Sequence, residues 1–358
     1  MWIGFEHSTP SMHRLQTALQ YSPTHVHIFS QESPNVGRTA TLPNEGDFAG
    51  RAWQVTRGAE FPARVDILLI TAHGSDIGAP IWNLRRQVPG ALVLVWLFDN
   101  HLSYIHNLRT VIAADGYFPS HAFCADYLLN PYSLNLGHLP APCLQWTKDE
   151  IAEGLSVPRQ RSDKFLAAYV DYPFSARHEF LNRLHEVPQA ELFLMTPEDR
   201  SRYRSKSRAE KIAEWCNYKT SVVAPVERDL STRLFDALAS GQIPLVADSV
   251  LDLDSVIPLA VQANLPILRF REGEIASLLA AHAEALGLFD AEGQYGIWRR
   301  HTFVSNGHFM RHRLQTILAT LVALAEGRSV VAYHPASTGL VLRSAGTVFP
   351  MEATSSNI

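Results

Sequence analysis

One stretch limits the fold more than any other. Ala91–Phe98 reads Ala-Leu-Val-Leu-Val-Trp-Leu-Phe, an unbroken apolar run of strand length. A strand with one wet face alternates polar and apolar residues, so an unbroken run predicts a strand covered on both faces. Similar short runs recur at His25–Ser30, Val65–Thr71, Phe165–Val170, Ala190–Thr196, Thr220–Ala224, Ile243–Ala247 and Pro266–Phe270, with Gly116–Pro119 and Ser133–Leu139 as further candidates. Stretches that read as helical separate them: Ser11–Gln20, Pro80–Gln87, Ser103–Ala113, Ala176–His185, Lys206–Asn217, Thr232–Ser240, Glu272–Leu286 and Phe309–Glu326. Strands alternating with helices predict an α/β fold on mostly parallel, doubly wound sheets.

With 358 residues the expectation is two domains. Between Leu155 and Lys164 the chain turns polar around Pro158, which marks a linker. The reading is therefore a Rossmann-like domain over 1–155, a second over 156–327, and an extended, hairpin-like tail over 328–358. In open α/β sheets ligands sit beyond the C-terminal ends of the strands, so the informative residues are those that follow strands.

Composition removes several classes. At 46% hydrophobic and 18% charged, the chain has ample material for a core and is not a disordered protein. A net charge of −4 lacks the basic excess of a nucleic-acid binder. Three scattered cysteines, Cys124, Cys143 and Cys216, form neither a disulfide framework nor zinc-ligand spacing, which fits a reducing compartment. The first residues carry no leader pattern, and the longest apolar runs fall far short of the roughly 20 residues that span a bilayer. A cytoplasmic protein is expected, with peripheral contact at the inner membrane face left open. The basic residues are lopsided, 26 Arg against five Lys. Arginine forks grip carboxylates and phosphates bidentately, although GC-rich codon usage explains most of such an excess.

The strongest local signal lies between 220 and 248. A strand ends near Ala224, a loop carries Glu227, Arg228 and Asp229, and a helix starts with Asp229 or Ser231 as its cap and stops at Gly241. Helix N-termini offer free N–H groups to phosphates, and Ser231, Thr232 and Arg233 sit there. Asp236 falls three residues after Arg233, on the same helix face. An arginine for phosphate and a carboxylate for ribose hydroxyls suit a nucleotide; an ordinary capped helix with an Arg–Asp pair fits the same spacing. In the first half, three strand ends carry polar clusters: Glu6-His7-Ser8, His73-Gly74-Ser75-Asp76 and Asp99-Asn100-His101. Asp99, with His101 oriented by it, is a candidate general base, and Asp76 and His73 are its rivals. Turn and cap roles account for the same residues. His121, His138, Cys124 and Cys143 read as structural. Asp252-Leu253-Asp254 reads as a polar loop, so no metal is expected. The basic stretch Glu198–Lys211 reads as a solvated loop running into a helix, with an anionic acceptor or membrane surface as the alternative.

Ser231–Val246 (Ser-Thr-Arg-Leu-Phe-Asp-Ala-Leu-Ala-Ser-Gly-Gln-Ile-Pro-Leu-Val) resembles the donor-site segment of GT-B glycosyltransferases, most closely the exostosin-type and spore-maturation-type branches. Tyr172–Arg177 resembles their loop into an Arg-bearing helix. His301-Thr302-Phe303 with Arg311, Arg313, Ile317 and Leu318 resembles their C-terminal element. The chain departs from the family in spacing Glu227 and Asp236 nine apart and in lacking a Gly-rich step before the helix. The resemblance implies two Rossmann-like domains facing across a cleft and a metal-independent transferase that needs no cofactor beyond its donor. The nucleotide-sugar would lie near Ser231, Thr232, Arg233, Asp236, Glu227, Arg228, Arg177 and Tyr172. A glycan, lipid-linked or protein acceptor would enter past His7 and His73, with Asp99, Asp76 or His101 as the base. A non-catalytic nucleotide- or glycan-binding relative is the alternative, and a sugar-nucleotide epimerase ranks last for want of a Gly-rich loop.

Overall fold

The computed structural model describes residues 26–30, 46–48, 51–55, 67–72, 76–87, 91–143, 146–170, 172–195, 206–325 and 327–345. His7, His73, the expected helix Ser11–Gln20 and most of the basic stretch before Lys206 lie outside the described residues.

The apolar runs become strands. β1 (Val26–Ser30), β2 (Gly46–Phe48), β3 (Arg51–Val55), β4 (Ile67–Ala72), β5 (Leu92–Leu97), β6 (Gly116–Pro119) and β7 (Leu134–Asn135) build one sheet together with β13 (Ser329–Tyr333) and β14 (Leu340–Ser344). Its order is β13-β14-β7-β6-β5-β4-β1-β3-β2, parallel except where β13 and β2 pair antiparallel at the two edges. β8 (Ser162–Val170), β9 (Ala190–Met195), β10 (Tyr218–Val223), β11 (Ile243–Ala247) and β12 (Leu268–Phe270) form a second, wholly parallel sheet in the order β12-β11-β10-β8-β9. Chain order reverses between β8 and β10, which places the second sheet's crevice beyond their C-terminal ends.

Burial on both faces is visible residue by residue. Leu92, Leu94 and Trp96 of β5 enter one core with Ile67 and Leu69, while Val93, Val95 and Leu97 enter the opposite core with Leu68 and Ile70. Successive side chains point to opposite faces, so only an unbroken apolar run fills both. Helices α1 (Gly78–Gln87) and α2 (Tyr104–Ile112) cover one face, and the Met310–Ala325 helix covers the other with Met310, Leu314, Ile317, Leu321 and Leu324.

The chain crosses between the two sheets twice. Residues Cys143 and Trp146, with Ile151 and Leu155 of α3 (Lys148–Ser156), pack in the second core, whereas Met310 to Leu324 and the β13–β14 hairpin return to the first. By core membership the chain therefore divides near 141–143 and 309–310, rather than at the 155/156 and 327/328 positions read from composition. Composition marks polar stretches, and the first crossing, Pro140–Cys143, is not polar. The expected linker is α3 running into β8, and the 328–358 tail contains two strands of the first sheet.

The remaining helices of the second sheet are α4 (Ala176–Arg183), α5 (Arg208–Trp215), α6 (Arg233–Ala239), two single turns at Leu253–Val256 and Leu259–Gln262, and a long α7 (Ile275–Gly307) with a break at Gly293. The chain leaves α6 through Gly241 at φ 77°, where an added Cβ would also meet Ile297 Cγ2 at 2.6 Å.

Beneath the first sheet Arg85 pairs with Asp115 at 2.9 Å, and Asp115 also accepts from Val93 N at 2.9 Å. Arg85 Nε donates to Ala113 O at 2.7 Å. Both side chains are buried, so Asp115→Ala removes the counter-charge of a desolvated cation. It is expected to destabilise the protein by about 3–5 kcal/mol in urea unfolding, and a loss under about 1 kcal/mol would show the pair to be solvated.

Candidate functional site

The second sheet presents two loops at its crevice. After β8, Ser175 caps α4: its Oγ accepts from His178 N at 3.1 Å and donates to Tyr172 O at 2.7 Å. This places Arg177 in the first turn, its guanidinium 4.8 Å from the Tyr169 ring centroid. Tyr169 Oη donates to Val222 O at 2.8 Å and accepts from Ala224 N at 2.7 Å, so one phenol locks the ends of β8 and β10 together beneath Arg177. Burial pushes the Tyr169 hydroxyl up to about 12 and lowers Arg177 from its usual range.

After β10 the backbone is strained. Glu227 (φ 51°) and Arg228 (φ 68°) are consecutive non-glycine residues in the left-handed region, at a cost of about 1–3 kcal/mol each. The turn is closed by Asp229, whose Oδ1 accepts from Val226 N. Burial pushes the Asp229 carboxyl up to about 7, with Arg177 pulling it down and Asp99 pushing it up. Asp229 thus closes its own turn and does not cap the helix. The helix cap is Thr232, which makes no side-chain capping bond.

Arg233 bonds Asp236 at 2.8 Å and lies 5.4 Å from the Trp215 ring. Asp236 is fully buried and its other oxygen accepts from Cys143 Sγ at 3.3 Å. Asp236 therefore anchors Arg233 to the first chain crossing. Ser231 Oγ accepts from Arg233 N at 3.4 Å, and Ser231 and Thr232 are partly exposed. Glu227 and Arg228 are exposed, as is Tyr172.

From the first sheet come Asp99 and His101, after β5, and His121, after β6. His101 and His121 are buried, with ring centroids 4.4 Å apart edge to face. Burial lowers His101 to about 4, countered by Asp99 and reinforced by Arg177. Burial likewise lowers His121 to about 3. His101, His121 and Asp229 approach closely enough for their polar atoms to lie within 4.8 Å of one another. The two sheets thus meet at Asp99, His101 and His121 on one side and Asp229 and Arg177 on the other. Ala122 N donates across the same junction to Asp252 Oδ2 at 2.8 Å.

Asp76 accepts from Gly78 N at 3.1 Å at the start of α1 and pairs with exposed Arg109 at 3.3 Å. These contacts fit the turn role that its residue type also predicts. His121, Asp229 and Asp252 are the site residues that sequence reasoning passed over as structural, cap and loop residues. The strand-end rule that picked out Asp99 and His101 also reaches His121, which follows Gly116–Pro119.

No protein-family model matches the chain, and no curated protein does. Among solved structures, it is similar to sucrose-phosphate synthase from Thermosynechococcus elongatus (14% identity, 87% of this chain and 90% of that one, TM-score 0.44). It is also similar to the catalytic domain of starch synthase IV from Arabidopsis thaliana bound to ADP and acarbose (12% identity, 74% of each chain, TM-score 0.43). A third is an α,α-trehalose-phosphate synthase (UDP-forming) from Burkholderia xenovorans in complex with glucose-6-phosphate (12% identity, 73% and 72%, TM-score 0.41).

The buried groups set a pH dependence with two opposite signs. An unfolded histidine takes its proton near 6.5, whereas native His101 waits until about 4. Its contribution is complete above 6.5 and is lost as pH falls toward 4. Native Asp229 keeps its proton to about 7 while the unfolded carboxyl releases it near 3.8, so this group costs stability as pH rises between those values. In EDTA-containing buffer, Asp229→Asn is expected to raise the urea midpoint near pH 8 and leave it unchanged near pH 4, while His101→Gln flattens the acid limb. Equal effects of Asp229→Asn at both pH values would contradict the burial of this carboxyl.

Proposed function

We propose that the chain is a glycosyltransferase that moves a sugar from a nucleotide-sugar donor to a glycan, lipid-linked or protein acceptor, with no metal in the chemical step. The observation that carries this reading is Arg177 at the second sheet's switch point, with Arg233 near it and with His101 of the first sheet, itself beside Asp99, close enough to feel its charge. It rests also on the resemblance of Ser231–Val246 to a GT-B donor segment.

In this reading the donor's phosphates lie against Arg177 and Arg233 and the N–H groups around Ser231 and Thr232. Tyr172, Glu227 and Arg228 border the nucleotide. Asp236, fully buried on Arg233, orients that guanidinium. Departure of the nucleoside diphosphate builds negative charge, and fixed cations in a half-buried cleft stabilise it at the transition state. Asp99 takes the acceptor hydroxyl's proton, and His101, held neutral by burial, positions the hydroxyl. His7 and His73 belong to the acceptor side.

A thermal-shift panel of ADP, UDP, GDP and CMP tests the donor site. One nucleotide is expected to stabilise the protein, and Arg177→Ala to abolish the response. Arg177 is the cleaner variant, because Arg233→Ala would also strand the buried Asp236. With the matching sugar nucleotide, Asp99→Asn is expected to lower turnover by about 10²–10⁴-fold. A protein indifferent to every nucleotide would instead be a non-catalytic relative, and full turnover in Asp99→Asn would remove the base assignment.

A further inference from the structure

Two imidazoles at the junction carry nitrogens that no hydrogen bond explains. His121 Nε2 lies 3.1 Å from the Phe98 carbonyl oxygen. A carbonyl only accepts, so the proton sits on Nε2 and Nδ1 is left as a bare lone pair. That Nδ1 is buried without a partner, in a residue only 3% exposed. The Asp252 carboxylate, 4.0 Å from it, is beyond hydrogen-bond reach and already accepts from Ala122 N. His101, 4% exposed, likewise has a buried Nδ1 with no partner. A buried polar atom left unpaired costs about 1–3 kcal/mol. The two imidazoles come from separate strand ends, and a ring nitrogen of each lies within 4.8 Å of the other and of a carboxylate oxygen of a third residue, Asp229, whose Oδ1 is held by Val226 N.

We propose that His101, His121 and Asp229 form a binding site for one borderline divalent transition-metal ion, represented by Zn²⁺, that clamps the first sheet's strand-end loops to the second sheet's Asp229 turn. Two imidazoles and one carboxylate match the ligand preferences of zinc, iron, nickel or copper, whereas magnesium and calcium favour oxygen ligands. Two of the three ligand residues have the supporting bond such sites use. The Phe98 carbonyl fixes the His121 tautomer and Val226 N–H fixes the Asp229 carboxylate. One ligand atom from each of the three residues lies within 4.8 Å of the other two, a spacing close to that of donors around a single ion with Zn–N and Zn–O bonds of about 2.0–2.2 Å. The charged groups facing the cluster are Arg177, which acts on His101 and Asp229, Asp99, which acts on both as well, and Asp252 beside His121. Negative charge outweighs positive there. The ion would be a clamp between loops.

The test uses the full chain, stripped with EDTA and titrated with Zn²⁺ without any sugar nucleotide. We expect one equivalent of Zn²⁺ to remain after desalting, a rise in thermal midpoint, and a Co²⁺-loaded protein with the intense visible bands of low coordination number. His101→Gln and Asp229→Asn should each weaken Zn²⁺ binding by more than about 100-fold, more than loss of a supporting bond costs. His185→Gln, which removes an exposed histidine on the second sheet's far loop, should bind as the parent does. Wild-type protein that retains no Zn²⁺, a weak six-coordinate Co²⁺ spectrum, or parental affinity in His101→Gln would each overturn the proposal. The metal count and the Co²⁺ spectrum are read on the unsubstituted chain, so they decide the question even where a variant fails to fold.

Discussion

Everything in this molecule hangs on two chain crossings held side by side. Where the chain first enters the second core, Cys143 N donates to His308 O at 2.8 Å, and Cys143 pairs with Phe309 as the chain leaves again. One buried cation secures both. Arg313 donates to Pro140 O at 2.7 Å on the incoming crossing, to Gly307 O at 3.0 Å on the outgoing one, and contacts His308 Nδ1 at 3.0 Å. Its guanidinium also lies 5.7 Å from the Phe235 ring of α6. Burial lowers Arg313 to about 10 and His308 to about 3, so the arginine remains the donor and the imidazole the acceptor. Similar contacts fasten α6 from its far end. Arg161 donates to Ser240 O and Arg300 to Gly241 O, while His301 Nδ1 lies 3.0 Å from Ala239 O. Much of the arginine excess is spent on carbonyl groups at helix ends and crossings.

That fastening gives the junction its chemistry. With α6 and the crossings fixed, the β8 and β10 loops are set against the β5 and β6 loops. Desolvated groups of both charges then collect where the two sheets meet. Asp229 is pushed up and His101 pushed down by the same burial, which leaves a protonated acid and neutral imidazoles at pH values where exposed residues would be ionised. The strained pair Glu227 and Arg228 sits in the turn that delivers Asp229, as expected where surrounding structure over-determines the backbone.

Much of the fold was legible in the sequence because the signals were local. Unbroken apolar runs marked the doubly covered strands, and Ala91–Phe98 became β5 with both faces buried. Gly241 ended α6 as its residue type predicts. Long-range properties were not legible. Met310–Ala325 reads as an amphipathic helix, but nothing in its spacing says that it packs on strands more than 200 residues earlier. The first crossing carries no polar linker, so composition drew that boundary elsewhere. At the junction, Asp99, His101, Arg177 and Arg233 stood out as strand-end or helix-start residues. His121 and Asp252 did not, because their importance lies in which atoms they face.

The sequence by itself determined the α/β class, the covered strands and the strand-end residues, since these follow from side-chain periodicity and local backbone chemistry. Tertiary structure alone decided that Asp236 serves Arg233 and Cys143, that Asp229 stands beside two imidazoles whose Nδ1 atoms lack partners, and that the C-terminal hairpin completes the first sheet. Those outcomes depend on desolvation and on contacts between residues tens to hundreds of positions apart, which no local pattern encodes.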